Sequence, residues 1–443
     1  MRKALAGILR TLGGLHPVKL VLLGYFSYIL LGWVLLCLPP LRRGPVSALD
    51  GLFMATSAVS TTGLATVSLS GSYTFAGQVV VLLLIQVGGM GYMTFSSFVV
   101  LSRKRPLSDT RLDVAKTVFS LPKSFRIDKF IRSVLVFTAT IELLGAVGLY
   151  FAFRAAGAPQ PLWSSVFHTV SSFCTAGFSI YDSSLTAYRG EFWINLIVCF
   201  LSYLGAVGFI VCVDVWRKVT GKVQKVTLTT KIILHATFWI ALVGTVHLFI
   251  AEPSIRSLPP EQRLLASAFQ AMTAMTTVGF NTIPISAVSR TSLLLLVILM
   301  VIGASPSGTG GGLKSTTFSA MIGVMRSALR QQSGVRFWRC EIPEERVRAA
   351  TATLCLYLTF LLLGTWGLTL TEEGTLGDLL FEAASALGTV GLSTGATQQL
   401  TPLGKALVTL LMFIGRLGPL TFGMALFLRP GTFTDDADSD MAV

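Results

Sequence analysis

The sequence predicts an all-α membrane protein in which eight transmembrane helices form four repeats of span, short helix and span around a pseudo-fourfold axis. Three observations predict this fold: an apolar composition, eight long apolar runs and a tripeptide that recurs four times. Of the 443 residues, 52% are hydrophobic and 13% are charged, whereas a soluble domain carries about a quarter charged residues. The composition therefore indicates an integral membrane protein.

Eight apolar runs are long enough to cross a hydrocarbon core of about 30 Å, which takes roughly 20 helical residues. The first run is too long for the apolar region of a signal peptide and lacks a small-residue cleavage site, so we expect a mature span. The runs lie near residues 18–38, 79–101, 130–153, 192–215, 228–250, 292–324, 347–370 and 406–428.

The formal net charge of +14 is distributed unevenly about these spans. With loops and flanks counted, 25 Lys and Arg residues lie on one side, 8 on the other and 2 within a span. We therefore expect a multi-pass protein of the plasma membrane. The positive-inside rule places both of its termini in the cytoplasm. This pattern argues against nucleic acid as the partner. The basic loops at 102–129, 216–227 and 326–346 fit topology signals, contacts with anionic membrane lipid or docking surfaces equally well.

The recurring tripeptide is Thr-x-Gly, and each copy sits at the same place in its repeat. Each glycine follows a phenylalanine by ten residues, and a small hydroxyl residue lies four positions after that phenylalanine. Close packing of spans explains single glycines but not a fixed offset repeated four times. The copies are Thr61-Thr62-Gly63 after Phe53, Thr175-Ala176-Gly177 after Phe167, Thr277-Val278-Gly279 after Phe269, and Thr389-Val390-Gly391 after Phe381.

The copies set the predicted boundaries of the repeats. Repeat 1 covers residues 18–105, repeat 2 covers 127–216, repeat 3 covers 228–326 and repeat 4 covers 346–430, with turns near 61–64, 175–178, 277–280 and 389–392. An acidic tail at 431–443 lacks apolar periodicity, and we expect it to be disordered. The six cysteines lie singly and suggest neither a disulfide framework nor a metal site.

Each Thr-x-Gly turn ends a short apolar segment, at residues 48–60, 163–174, 264–276 and 376–388. Segments of this length cannot cross a membrane and suit re-entrant half-helices. Non-helical backbone at membrane depth survives only where it is buried in protein or lines a wet cavity. We therefore expect the four turns to share one cavity and to form a pseudo-fourfold pore, with the four phenylalanines as core anchors.

A ring of backbone carbonyls can replace the hydration shell of a cation that dehydrates as it passes. Glycine supplies the φ freedom that such a turn needs, and each half-helix directs the negative end of its dipole at the ring. No carboxylate occurs in any of the tripeptides. The chemistry therefore favours a monovalent cation.

The second span of repeat 3 is interrupted by a run of helix-breaking residues. Glycine costs about 1 kcal/mol and proline about 3 kcal/mol in a helix interior, so we expect an unwound loop at mid-membrane. The end of the run is similar to a phosphate-binding loop, but Leu313 stands where that motif needs glycine before Lys314. The run is Gly303, Ala304, Ser305, Pro306, Ser307, Gly308, Thr309, Gly310, Gly311 and Gly312.

Charged residues within spans are costly and indicate function by default. Arg416 has two interpretations. Its guanidinium either faces the pathway, where it would raise an electrostatic barrier and hold the loop through carbonyls or hydroxyls, or it pairs with a buried acid or with helix-end carbonyls. Lys314 is expected to extend to the inner membrane surface, with a role in gating as the alternative. His168 and Glu382 follow the repeat phenylalanine where Met54 and Gln270 stand in the other two repeats. This variation indicates structural roles for that position.

The four-repeat pattern resembles the Trk/Ktr/HKT superfamily of potassium transporters, and it is most like the KtrB type of membrane subunit. That superfamily carries one glycine per repeat where tetrameric potassium channels carry TVGYG, and all four are present here. Some HKT proteins have serine in the first filter and favour sodium, so Gly63 favours potassium. The sequence starts directly at the first unit, without the additional hairpin of TrkH, as expected of a KtrB-type chain.

The resemblance implies roles for particular residues. The four tripeptides would bind potassium through their carbonyls as a selectivity filter, and residues 303–312 would form an intramembrane gate below it. Arg416 matches a basic residue of the superfamily beneath the filter, and Lys314 joins it in the predicted gate. The resemblance also implies a homodimer and a cytosolic ring of nucleotide-binding, RCK-type regulatory subunits.

The predicted function is potassium uptake through a channel-like pore, with no enzymatic activity and no organic cofactor. Two alternatives remain open at this point. One is a secondary carrier working by symport, since broken helices and internal repeats also build carrier sites. The other keeps the pore but makes sodium the transported ion.

Overall fold

The computed structural model describes residues 17–91, 127–338 and 340–427. The acidic tail, the end of repeat 1 at 92–105 and most of the basic loop at 102–129 lie outside the described residues. Helices make up most of the described chain, in agreement with the predicted all-α membrane protein. One short hairpin is the exception: strand β1 (Arg336–Phe337) pairs antiparallel with strand β2 (Cys340–Glu341).

The α-helices are numbered here in chain order. They are α1 Pro17–Leu36, α2 Ala48–Val59, α3 Leu69–Ser72, α4 Phe75–Met90, α5 Ile127–Ala155, α6 Pro161–Phe173, α7 Phe192–Val207, α8 Phe209–Val219, α9 Leu228–Ala251, α10 Pro253–Arg256, α11 Pro260–Met275, α12 Arg290–Val301, α13 Ser315–Leu329, α14 Glu344–Thr371, α15 Leu376–Gly388, α16 Pro402–Leu417 and α17 Pro419–Phe427. Single 3-10 turns occur at Pro39–Leu41, Thr186–Tyr188, Ile285–Ala287 and Ala396–Gln399.

Four of these helices, α1, α5, α9 and α14, are each long and apolar enough to cross a membrane. They are the predicted first spans of the four repeats. Large apolar side chains such as Phe26, Phe151, Trp239 and Trp366 are exposed on them. An outer surface this apolar suits lipid rather than water, which makes the chain a multi-pass membrane protein.

The predicted second spans are less regular than the sequence suggested. Residues 192–215 and 406–428 were expected to form continuous spans, but α7 and α8 meet at a bend of 100° and α16 and α17 at a bend of 96°. Gly208 and Gly418 lie at the bends with φ of +94° and +85°, which ends each helix. If each bent pair counts as one span, the described residues hold six candidate spans.

At the centre of the protein lie four short helices, α2, α6, α11 and α15. Their bounds agree with those of the four predicted half-helices to within a few residues. Ser47 and Thr375 cap the first and last of them by accepting from the backbone N–H of Asp50 and Asp378. Proline opens the other two, where its missing N–H has no helical partner to lose. The repeat phenylalanines Phe53, Phe167, Phe269 and Phe381 are fully buried, as expected of core anchors.

The short helices and the helices of the second spans contact one another in a closed cycle. Helix α4 packs on α6, α7 on α11, α12 on α15, and α16 on α2. Each second span therefore touches the short helix of the following repeat, and the last touches the first. This closure brings the four Thr-x-Gly turns to one place at the centre of the fold.

Candidate ion pathway

All four turns begin with a threonine in the left-handed region. The φ angles are 53° at Thr61, 51° at Thr175, 59° at Thr277 and 51° at Thr389. A residue in this conformation ends an α-helix and redirects the chain. It costs a β-branched side chain roughly 1–2 kcal/mol, so tertiary contacts must hold these four threonines. From the sequence, only the glycines were expected to have positive φ.

The hydroxyl residue four positions after each phenylalanine holds the turn that follows. Its backbone carbonyl accepts from the N–H of the middle residue of the tripeptide in every repeat. The N···O distances are 2.8 Å for Ser57 and Thr62, 2.8 Å for Ser171 and Ala176, 3.1 Å for Thr273 and Val278, and 2.8 Å for Ser385 and Val390. In two repeats the hydroxyl also accepts from the glycine N–H, from Gly63 to Ser57 at 3.1 Å and from Gly391 to Ser385 at 3.0 Å. In repeats 1 and 4 the recurring hydroxyl therefore holds the Thr-x-Gly turn directly.

The four glycines form a closed ring. Their φ angles are all positive: 93° at Gly63, 64° at Gly177, 86° at Gly279 and 94° at Gly391. A methyl group added at any of them would lie within 3.0 Å of the backbone carbonyl oxygen of the middle residue in the next repeat. The contacts run from Gly63 to Ala176, from Gly177 to Val278, from Gly279 to Val390 and from Gly391 to Thr62. The structure thus brings all twelve predicted filter residues together, with the repeats in the cyclic order 1, 2, 3, 4.

Each short helix ends directly at this ring. The negative end of a helix dipole carries about half an elementary charge, and the four short helices converge through the same cycle of packing. The hydroxyls of Thr277 and Thr389 are buried without a hydrogen-bond partner among the described residues. Oxygen atoms and negative dipole ends gathered at one place provide an environment suited to a cation.

The helix-breaking run between α12 and α13 lies against the four turn threonines. Thr309 is its central contact: its hydroxyl lies 3.1 Å from that of Thr175 and donates to the carbonyl of Phe173 at 3.1 Å. The hydroxyl of Thr61 reaches the Thr309 carbonyl at 3.4 Å. A methyl group added at Gly310 would lie within 3.0 Å of the Thr277 hydroxyl, and one at Gly311 within 3.0 Å of the Thr389 hydroxyl. One loop therefore contacts all four repeats.

Arg416, near the end of α16, joins three parts of this site. Its guanidinium donates to the Thr309 carbonyl, to the hydroxyl of Thr61 at 2.9 Å and to the carbonyl of Gly88 in α4. Hydrogen bonds from a charged donor are the stronger class. The contacts include both kinds that the sequence left open: a carbonyl of the loop at Thr309 and a helix-end carbonyl at Gly88.

Lys314 differs from the expectation. The sequence favours an extended side chain at the inner membrane surface, but the ammonium group donates to the Gly310 carbonyl at 2.7 Å and lies 3.5 Å from the Gly311 carbonyl. The loop carbonyls compete successfully with water because they come within reach of a side chain that starts only a few residues away. Lys314 therefore folds back onto the predicted gate loop.

The loop is also tied to the bend between α7 and α8, which the sequence did not predict. The N–H groups of Ser305 and Thr309 donate to the carbonyls of Ala206 and Gly205 at 2.9 and 3.0 Å, and that of Phe209 donates to Ser307 at 3.2 Å. A methyl group at Gly208 would lie 2.5 Å from the Pro306 carbonyl oxygen. Gly205 and Gly208 were the residues in the sequence that could have indicated this close approach of another backbone segment.

A ring of half-helix turns enclosed by long apolar helices defines a membrane transport protein. Residues 38–429 match the family profile of TrkH, described as a cation transport protein. The chain belongs to that family, which confirms the resemblance to Trk/Ktr-type transporters and makes the protein a transporter rather than an enzyme.

Individual relatives agree with the family assignment. The chain is 34% identical to the Ktr system potassium uptake protein B of Bacillus subtilis, over 92% of each chain. It is 32% identical to the potassium/sodium uptake protein NtpJ of Enterococcus hirae, over 94% of each chain. The crystal structure of the potassium transporter TrkH from Vibrio parahaemolyticus is similar in fold, with a TM-score of 0.74 and 20% identity over 92% of this chain and 83% of that one.

Proposed function

We propose that this protein takes up potassium ions through a channel-like pore in which the four Thr-x-Gly turns are the selectivity filter. The closed ring of glycines and carbonyls is the observation that supports this most. Backbone carbonyls from four equivalent turns can substitute for the hydration shell of a potassium ion without a fixed negative charge. The filter consists of residues 61–63, 175–177, 277–279 and 389–391.

Potassium is the preferred cargo in this proposal, and sodium is the alternative. Glycine occupies the last position of all four turns, and the relatives named above include a potassium uptake protein and a potassium/sodium uptake protein. A ring tuned to the larger ion discriminates by the number and spacing of its carbonyls. Sodium would then pass more slowly.

Residues 303–312, together with Lys314 and Arg416, act as the gate in this proposal. The loop lies against every turn threonine, and a guanidinium and an ammonium group bind its carbonyls. Two positive charges beneath a cation filter raise an electrostatic barrier as well as a steric one. The described conformation is then a closed one, and opening requires Thr309 of the loop to leave Thr61 and Thr175.

The orientation and partners also belong to the proposal. Both termini are cytoplasmic, two copies associate as a homodimer, and a cytosolic ring of RCK-type, nucleotide-binding subunits regulates the gate. The positive-inside distribution supports the orientation, and the similarity to protein B of a Ktr potassium uptake system supports the existence of partner subunits. The bent helix α8 lies next to the loop, so a force applied to it from the cytoplasmic side would reach Ser307 directly.

A sodium-coupled secondary carrier is the main rival. Carriers often place charged coupling residues at a midplane site, whereas the four turns contain none. Tracer uptake of rubidium in cells that lack their own potassium systems separates the two, measured with and without a candidate regulatory subunit. We expect uptake that follows the membrane potential and persists without sodium. Uptake that stops when sodium is removed, with a fixed ratio of the two fluxes, would favour the carrier.

A further inference from the structure

One position between the recurring phenylalanine and the recurring hydroxyl residue holds a different side chain in each of the four units. It directly follows the repeat phenylalanine and holds Met54, His168, Gln270 and Glu382, all of them fully buried. The position lies in the short helix, but two of these side chains reach the chain that follows the filter glycine. The sequence indicated a structural role, and the contacts indicate a more specific one.

Glu382 binds the segment that leaves the filter of repeat 4. Its carboxylate accepts from the hydroxyl of Ser393 at 2.6 Å, from the N–H of Thr394 at 2.9 Å and from the hydroxyl of Thr397. Ser393 lies two residues after Gly391. One buried side chain thus links short helix α15 to the segment that follows Gly391. The hydrogen bonds are strong because they are buried.

His168 does the same in repeat 2. Its Nε2 atom lies 2.9 Å from the hydroxyl of Ser179, two residues after Gly177, so the register is that of Glu382 and Ser393. Its Nδ1 atom lies 2.7 Å from the Ser164 carbonyl. A carbonyl can only accept, so Nδ1 carries the proton and a neutral ring accepts from Ser179 at Nε2. Stacking on Tyr181, with ring centroids 5.1 Å apart, fixes the ring plane.

Repeats 1 and 3 have no equivalent link among the described residues. Met54 cannot form one, and Ala65 stands two residues after Gly63. In repeat 3 the corresponding Asn281 donates its side-chain amide to the Ile283 carbonyl, and its backbone N–H donates to Ser184 from the preceding repeat. Because the cyclic order is 1, 2, 3, 4, the two braced turns lie opposite each other across the ring.

We propose that Glu382 and His168 are positioning residues that brace two opposite filter turns and thereby set the preference for potassium over sodium. The inference rests on the proposed function, since it assumes that the ring selects the ion. A carbonyl ring discriminates between ions of different size only if its oxygens resist collapse onto the smaller one. Two buried braces on opposite turns add to that resistance, beyond the backbone hydrogen bond that holds the middle residue of every turn.

The direct test is Glu382→Met, which copies the side chain of repeat 1, in the full-length protein reconstituted in vesicles. The potassium-to-sodium permeability ratio should fall about tenfold, because hydrogen bonds to a buried charged group are lost. His168→Met should lower the ratio less, because His168 makes only one hydrogen bond to the segment after its filter glycine, the bond to Ser179. Met54→Leu serves as the matched control and should leave the ratio unchanged. A ratio is independent of the amount of folded protein, so a general loss of stability does not imitate the effect.

Two further variants keep the test decisive if Glu382→Met does not fold. Ser393→Ala removes a donor while Glu382 stays in place, and Glu382→Gln retains an acceptor. We expect the ratio to fall about threefold for Ser393→Ala and to stay closer to wild type for Glu382→Gln than for Glu382→Met. A selective wild type with an unchanged ratio in Ser393→Ala and in every folded Glu382 variant would overturn the inference alone. A wild type that does not prefer potassium would overturn the proposed function and this inference with it.

Discussion

The Thr-x-Gly turns and the predicted second spans are repeated equally often, but of the two only the turns have the same structure in every repeat. Every turn begins with a left-handed threonine and ends with a glycine at positive φ. The predicted second spans differ: α7 and α16 end at sharp bends, whereas the thirteen residues 302–314, which contain the helix-breaking run, separate α12 from α13. A ring needs equivalent members, but a gate needs one member that differs from the others.

The two regions meet at a small number of atoms. Thr309 of the loop contacts two turn threonines, and Arg416 binds both Thr309 and Thr61. The conserved ring is therefore in direct contact with the two features that break the repeat. We expect changes in the ring to alter which ion passes, and changes in the loop to alter how much passes.

The largest effect is expected at the ring. Gly279→Ser forces a side chain onto a backbone at φ +86° and against the Val390 carbonyl. Strain of this kind costs about 1–3 kcal/mol, and we expect potassium preference to fall by up to about 100-fold in uptake measurements with potassium and sodium. Gly157→Ser is the control, because Gly157 also has positive φ, +67°, but nothing lies within 4 Å. An unchanged preference in Gly279→Ser would refute the filter assignment.

Shortening the loop should increase flux without changing preference. Deletion within residues 304–311 removes the segment that lies against the turn threonines, and we expect about 30-fold more rubidium uptake as the closed population is lost. Uptake that stays the same or falls, with normal amounts of protein in the membrane, would mean that the loop is not a closed gate.

Arg416→Gln tests the same gate by a smaller change. The loop loses a charged donor to the Thr309 carbonyl, worth about 1.5–3 kcal/mol, and flux should rise about tenfold. Arg348→Gln is the control, since Arg348 is exposed and pairs only with Glu344 among the described residues. If both variants conduct like the wild type, Arg416 holds the helices together but does not hold the gate closed.

The smallest effect separates the two bends. Gly208→Ala and Gly418→Ala impose similar backbone strain, at φ of +94° and +85°. Only the first places a methyl group 2.5 Å from the Pro306 carbonyl of the loop, while the nearest atom to the second is 3.9 Å away. We expect about threefold higher flux in Gly208→Ala alone, from a destabilisation of order 1 kcal/mol. Equal flux in the two variants would mean that the contact between the bend at Gly208 and the loop does not affect gating.

Much of the fold was predictable because its signals are local. Span length and the Phe-to-Gly register located the first spans and the short helices, and the helix-breaking run located the loop. The twelve filter residues came from the same register, and the structure brings them together. The order of the turns around the ring was not predictable, since it depends on packing between residues that are far apart in sequence.

The conformation of the turn threonines and the bend at Gly208 could not be predicted for a related reason. Threonine disfavours the left-handed region, and part of what holds Thr61 and Thr175 there is contact with Thr309, which is distant in sequence. A single glycine in an apolar run is also common at helix contacts, so Gly208 gave no sign of a 100° bend. Lys314 was assigned to the membrane surface because the sequence does not show which carbonyls lie nearby.

The central claim is that four equivalent turns form one potassium-selective path. The zero-current potential of the purified protein in a bilayer, with potassium on one side and sodium on the other, tests it most directly. We expect a conductance whose zero-current potential lies close to the potassium equilibrium potential and shifts toward zero in Gly279→Ser but not in Gly157→Ser. A wild-type potential near zero or near the sodium equilibrium potential, or transport without any conductance, would contradict the account.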